Sequence, residues 1–256
     1  MKQGICELPY IPMRTEANHR SEMVSQVLFG ETFYILEQQD SWLKIQLIHD
    51  NYSGFVEKKA ISPLKTVFNG KIIDKNIKLL KNNNFCFEIP IGAKIASKLK
   101  KNRFIINNNT YEIESRQAKI LKKAIINVDK RKYLIENANK MLGTAYFWGG
   151  CTNWGIDCSG FSQLLYKLLD IYIPKDVNEQ ANCGNLVCFL DDAKPGDLAF
   201  FADDNNQIIH VGIIDEGDTI IHASGSVRKD KIDYFGILNV DTQRYTHQLY
   251  IVKSFL

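Results

Sequence analysis

The chain has 256 residues, 45% hydrophobic and 24% charged, enough apolar material for one large domain or two to three small ones and too much for wholesale disorder. Lys and Arg exceed Asp and Glu by 32 to 29, a net +3 that demands no polyanionic partner, and 16 Gly with 6 Pro exclude collagen-like or low-complexity organisation. No apolar run approaches the roughly 20 residues that span a bilayer. Glu7 and Pro9 interrupt the first apolar stretch, so no signal-peptide core is expected. The six cysteines, at 6, 86, 151, 158, 183 and 188, lack the rhythm of a disulfide scaffold, and free thiols in a reducing, cytoplasmic setting are the simpler expectation.

Three textures follow one another. Residues 1–65 carry short apolar runs (27–29, 32–36, 42–47 and 54–56) broken at Gly30-Glu31, Gln39-Asp40-Ser41 and His49-Asp50-Asn51, the pattern of a small β-barrel. Residues 66–125 repeat the theme weakly, with 91–95 echoing 29–33 and Asn107-Asn108-Asn109 turning a hairpin between Phe104-Ile105-Ile106 and Tyr111-Glu112-Ile113. In this middle segment Lys and Arg outnumber Asp and Glu by nine, but the lysines are scattered without stacking aromatics, so no nucleic-acid site is expected. Residues 126–256 open with a helical pattern ending at Gly143, followed by a second from Cys158 to Leu169. Strand-like runs then follow Pro195-Gly196-Asp197: 198–201, 208–214, 219–222 and 249–252. Helices first and antiparallel strands after predict an α+β domain.

The chemistry concentrates around Cys158. It sits where a Gly-rich loop (146–157) becomes a helix, so unpaired N–H groups and the helix dipole are expected to favour thiolate, with Asp157 as N-cap. A buried thiol is more often a small hydrophobe, and a base is what separates the two uses. Of five histidines, His19 and His49 read as surface residues of the first segment and His247 as an inert C-terminal one. His210 and His222 lie in consecutive apolar strands. A three-residue loop Asp215-Glu216-Gly217 would pair Ile214 with Asp218 and set His210 directly opposite His222 on one face. His222 would then orient His210 as general base toward Cys158. The Cys151/Cys158 and Cys183/Cys188 spacings do not match structural zinc sites, and neither a metal nor a cofactor is expected.

From 128 to the C-terminus the chain resembles the NlpC/P60 family of papain-like cysteine peptidases. The resemblance rests on Tyr146-x-Trp148-Gly149-Gly150, Asp157-Cys158-Ser159-Gly160-Phe161, Pro195-Gly196-Asp197-Leu198, His210-Val211-Gly212-Ile213 and His222-Ala223-Ser224. It implies Cys158 as nucleophile, His210 as base, His222 as third polar residue, Tyr146 with the Cys158 amide as oxyanion donors, and Ser159 in contact with substrate backbone. The first two segments resemble bacterial SH3 domains, which makes the layout two SH3-like barrels (1–65 and 66–125) before a peptidase domain (126–256). This layout is similar to the γ-D-glutamyl-L-diamino acid endopeptidases, which act on murein peptides with a free L-Ala amine. The resemblance implies Asp176, in Pro174-Lys175-Asp176-Val177, as amine ligand, although Lys175 replaces the usual Arg and Val177 departs from the pattern. It further implies Glu22 and Tyr52 as pocket residues from the first barrel. The expectation is a monomer acting on free murein peptides, with an exported wall hydrolase or a non-catalytic wall-peptide binder as the alternatives.

Overall fold

The computed structural model describes residues 1–115 and 129–256, in two compact units, Met1–Ile126 and Asn127–Leu256. The start of the first expected helix, at Val128, falls outside the described residues.

In the first unit, β1 (Gln3–Ile5), β2 (Tyr10–Arg14), β3 (Met23–Leu28), β4 (Thr32–Gln39), β5 (Trp42–Leu47), β6 (Ser53–Glu57) and β7 (Ser62–Pro63) form one sheet ordered β3-β2-β6-β5-β4-β1-β7. The period-2 pattern of the sequence explains its core: Leu43, Ile45 and Leu47 alternate inward along β5 and meet Ile11, Met13, Val27, Phe33 and Val56. Strands β8 (Gly70–Ile72), β9 (Ile77–Lys81), β10 (Phe85–Ile89), β11 (Lys94–Ala96), β12 (Arg103–Ile106) and β13 (Asn109–Ile113) form a four-stranded sheet β10-β9-β13-β12 and a ribbon β11-β8. The predicted hairpin is present, with Ile106 paired to Asn109 and Asn107 at φ 51. Ile5, Leu28 and Phe29 join the core of these later strands, so the two halves of the unit share apolar contacts.

A buried carboxylate ties them together. Glu7, 6% exposed, accepts hydrogen bonds from Asn107 Nδ2 (3.0 Å), Asn109 Nδ2 (2.7 Å) and the Tyr111 hydroxyl (2.5 Å). Burial opposes ionisation, but the hydrogen bonds from Tyr111, Asn109, Ser62 and Asn107 outweigh it and hold the carboxyl below its usual 4.5.

The second unit contains α1 (Lys130–Lys140), β14 (Cys151–Thr152), β15 (Gly155–Ile156), α2 (Cys158–Lys167) and α3 (Val177–Ala181). These are followed by β16 (Asn185–Val187), β17 (Leu198–Ala202), β18 (Ile208–Ile214), β19 (Thr219–Ser224), β20 (Ser226–Asp233), β21 (Gly236–Asn239) and β22 (Arg244–Ser254). Among the described residues, nine strands against three α-helices make the unit mostly β, a different balance from the α+β domain that the helical patterns suggested. The sheet runs β16-β22-β17-β18-β19-β20-β21, and β21 also pairs with β22, so six strands close into a barrel. Ala199, Phe201, Ile214, Ile220, Ile232, Ile237 and Val252 fill its interior. The intervening residues Val211, Ile213 and Ile221 are fully buried on the outer face, where α2 packs against β18 and β19. The Pro195-Gly196-Asp197 turn is structural: Arg131 donates to Pro195 O and Asp197 Oδ1 (both 2.8 Å), and the Tyr166 hydroxyl donates to Gly196 O.

The β18–β19 register differs from the expectation. Ile214 pairs with Ile220 and Gly212 with His222, so His210 and His222 are diagonal neighbours rather than directly opposed. The loop is longer because Asp215 N–H closes it on Thr219 O at 2.8 Å, and Ile220, not Asp218, must fill the interior. The shift is by two residues, which preserves the face of both imidazoles.

Glu7→Gln is expected to lower the stability of the first unit by about 2–3 kcal/mol, since an amide cannot accept three donors. The carboxyl is held below its ordinary value, so its stabilisation is complete above about pH 4.5 and is lost as pH falls through the lowered value. Urea melts at pH 7 and pH 3, read with hydrogen exchange over 77–113, check this: the gap between wild type and variant should narrow at pH 3.

Candidate active site

Asp157 builds the entry to α2. Its extended backbone (φ −92, ψ 176) ends the loop, and Oδ1 accepts the Gly160 N–H at 2.5 Å, capping the helix as predicted. Oδ2 accepts the Gly149 N–H at 2.9 Å, which folds the Gly-rich loop back on the helix start. Gly160 is required there, because a Cβ would lie 2.3 Å from Gly150 O. The charge of Asp157 is met by Lys175, only 3% exposed, whose Nζ lies 3.0 and 3.2 Å from the two carboxylate oxygens and 3.0 Å from Ser159 Oγ. Burial pulls the Lys175 ammonium down, but the proximity of Asp157 outweighs it and the net shift is upward.

Cys158 follows in the first turn of α2 and is 8% exposed. The N–H groups of Val211 and Ser159 are close enough to its sulfur to favour thiolate, as is Lys175, but burial and then Asp157 prevail, and the thiol is pushed up to about 11. This corrects the expectation of a sulfur ionised at rest: the carboxylate that caps the helix opposes the helix dipole at the same place. Tyr146, partly buried, is anchored by its N–H on Gly225 O at 2.9 Å and by a bridge to Ile156. Its hydroxyl is pushed up to about 12 by burial and then by the nearness of Cys158 and Asp157.

On the barrel side, the Val211 N–H that approaches the sulfur lies one residue after His210 on β18. His210 Nε2 lies 2.9 Å from His222 Nδ1, and His222 Nε2 lies 2.9 Å from Asp230 Oδ2. Arg228 grips Asp230 through Nε (2.7 Å) and a terminal nitrogen (2.9 Å) and reaches Asp241 at 2.7 Å, while the Val240 N–H donates to Asp230 Oδ1 at 2.9 Å. His210, His222 and Asp230 are all at most 5% exposed. Gly212 makes room for this pair, since a Cβ there would meet His222 Cβ at 3.0 Å and the Ile220 side chain at 2.6 Å. His247, expected to be inert, instead stacks on His210 with ring centroids 4.1 Å apart and planes at 24°, and also touches Phe201. Burial, then His247 and His222, hold His210 well below its ordinary 6.5. Burial followed by His222 pushes His247 down to about 4. At rest, then, the Cys158 thiol and the His210 imidazole are both neutral.

The other expected site residues are distributed unevenly. Asp176 is exposed at the start of α3 and uses no side-chain cap. Ser159 is buried, with its hydroxyl donating to Asp157 Oδ1 and accepting from Lys175. Glu22 is exposed just before β3, and Tyr52 is half-buried against the core of the first sheet; both belong to the first unit. Sequence reasoning missed Asp230 and Arg228, although Ser224-Gly225-Ser226 pairs His222 with Arg228 and the same alternation puts residue 230 on that face. It also missed His247, which two bulges in β22 make hard to place by counting.

Residues 143–252 match the NlpC/P60 family model and residues 13–61 the model of the bacterial dipeptidyl-peptidase SH3 domain. The chain carries an NlpC/P60 domain together with a bacterial SH3 domain. The NlpC/P60 family comprises peptidoglycan-hydrolysing cysteine endopeptidases. The γ-D-glutamyl-L-lysine dipeptidyl-peptidase of Bacillus subtilis (strain 168) is 27% identical over 223 residues, 78% of this chain and 71% of that protein. The probable endopeptidase NlpC of Escherichia coli (strain K12) is 41% identical over 86 residues, 33% of this chain and 55% of that protein. The crystal structure of an NlpC/P60 family protein from Bacillus cereus ATCC 10987 superposes with a TM-score of 0.82 over 99% of both chains at 18% identity, which shows the papain-like fold with its SH3 portion. Cys158, His210 and His222 all lie within the NlpC/P60 match.

Two outcomes are expected of this site. Lys175→Met should destabilise the NlpC/P60 domain by roughly 3–5 kcal/mol, since it leaves a buried carboxylate without its cation. Asp157→Asn combined with Lys175→Met should recover part of that loss; urea denaturation of the single and double variants decides, and a double variant no better than the single contradicts it. Alkylation of Cys158 by iodoacetamide, followed by peptide mass spectrometry without substrate, should still be climbing above pH 9 rather than reaching a plateau near neutrality.

Proposed function

We infer that this chain is a cysteine endopeptidase that hydrolyses the bond between γ-D-Glu and an L-diamino acid in murein peptides bearing a free N-terminal L-Ala. The observation that carries the reading is the buried Cys158 at a capped helix start, beside a strand whose imidazole is held by a second imidazole. The Bacillus subtilis relative and the SH3 match, described as that of a bacterial dipeptidyl-peptidase, support the substrate class. The six cysteines are free thiols, which suits a cytoplasmic role in recycling wall peptides.

In this reading Cys158 attacks the γ-carbonyl of D-Glu while His210 takes the thiol proton. That proton passes to the departing diamino-acid amine, and water then hydrolyses the thioester to free L-Ala-γ-D-Glu. Tyr146 and the Cys158 N–H receive the oxyanion. Asp176 receives the L-Ala ammonium end. Ser159, whose hydroxyl is engaged by Asp157 and Lys175, supports the elbow rather than the substrate. Residues 66–125, of which 66–115 are described, are read as a second, degenerate SH3-like barrel.

Purified chain incubated with L-Ala-γ-D-Glu-L-diamino acid tripeptide is expected to release the diamino acid, while the N-acetylated tripeptide is spared. Equal turnover of both removes amine selection, and release of soluble fragments from intact sacculi favours the wall-lytic alternative. Cys158→Ala should abolish turnover with the fold retained, and iodoacetamide should inactivate where chelators do not. Because His210 titrates well below 6.5 and must be neutral to act, the acid limb of kcat/KM is expected below pH 6.5.

A further inference from the structure

We propose that Asp230, held by Arg228 and the Val240 N–H, is a positioning residue that sets the tautomer of both imidazoles. The proposal rests on the peptidase reading for its kinetic part only. His222 has two ring nitrogens, each with one partner: Nε2 faces Asp230 and Nδ1 faces His210. A carboxylate only accepts, so His222 must carry its proton on Nε2 and present a bare Nδ1. His210 must then carry its proton on Nε2 to meet that lone pair, which leaves Nδ1 of His210 as the basic nitrogen. The proton-transfer step needs that arrangement. The thiol proton adds to Nδ1 and later leaves to the amine from the same atom, while the Nε2 proton stays on the bond to His222 throughout.

The alternative is a doubly protonated His222, which would donate to both neighbours and drive the His210 proton onto Nδ1. The surroundings oppose it. Arg228 on β20 already matches the charge of Asp230 through two hydrogen bonds, the Val240 N–H takes a further lone pair, and Asp241 beyond Arg228 is solvent-exposed. Among the described residues, apolar Ile220 and Phe201 and the ring of His247 also lie against the two imidazoles. A second cation in that space has no anion of its own.

Asp230→Asn separates tautomer control from simple packing. The Val240 N–H and one Arg228 N–H both donate at the Oδ1 position, against a single Arg228 N–H at the Oδ2 position, so the amide oxygen takes the first and the amide N–H₂ faces His222 Nε2. His222 is then forced to the Nδ1–H form, His210 must accept on Nε2, and its own proton moves to Nδ1, where it blocks the base. The full chain with Asp230→Asn is expected to lose roughly 10²–10⁴-fold in kcat on the free tripeptide with KM changed by less than about threefold. A merely structural role predicts lost stability with both ring tautomers unchanged. Nitrogen-15 NMR of the histidine rings at pH 7, without substrate, should show Nε2–H on His210 and His222 in the wild type and Nδ1–H on both in Asp230→Asn. The proposal is overturned by an unchanged His210 tautomer in Asp230→Asn, by a doubly protonated His222 in the wild type, or by kcat within threefold of wild type. A wild type that turns over no murein peptide while its rings show these tautomers sinks the peptidase reading and leaves the tautomer assignment standing.

Discussion

One carboxylate organises the start of α2 around Cys158. Asp157 receives the N–H groups of Gly149 and Gly160, the Ser159 hydroxyl and the Lys175 ammonium, so loop, helix start and the segment before α3 are all fastened at a single buried point. Without it the Gly-rich loop has no reason to fold onto α2, and Cys158 has no fixed direction. The arrangement carries an electrostatic cost, because the same anion raises the neighbouring thiol. Lys175 offsets part of that charge, which explains why a lysine is tolerated in an almost fully buried place.

The barrel poses the complementary problem. Its interior is apolar along Ile214, Ile220, Ile232 and Ile237, yet it also admits two imidazoles and a carboxylate. Such groups are stable there only when every nitrogen and oxygen is paired, and the chain from His210 through His222 and Asp230 to Arg228 reaches solvent before it ends on Asp241. The low-dielectric setting keeps His210 neutral, and Asp230 stays ionised because hydrogen bonds from His222, Arg228 and Val240 outweigh its burial. Stacking of His247 on His210 limits the tilt of that ring. Both halves of the site thus use the same device, an anion held by a cation and backbone donors, once to aim a thiol and once to aim an imidazole.

The local features were legible in the residues. Asp157 as cap, Cys158 at the helix start, the Asn107 hairpin and the alternating strands all follow from preferences that act within a few positions. The two histidines were placed on one face correctly although their register was two residues off, since parity depends only on the strand period, whereas the loop length depended on which residue had to fill the barrel. The sequence by itself therefore determined the elements, the cysteine at a helix start and the shared face of His210 and His222. Only the tertiary structure decided that the thiol is neutral at rest, that His247 stacks on His210 and that Asp230 and Arg228 complete the chain. Ionisation and stacking depend on solvent exclusion and on bulged strands brought together by barrel closure, and neither quantity is written in any window of adjacent residues.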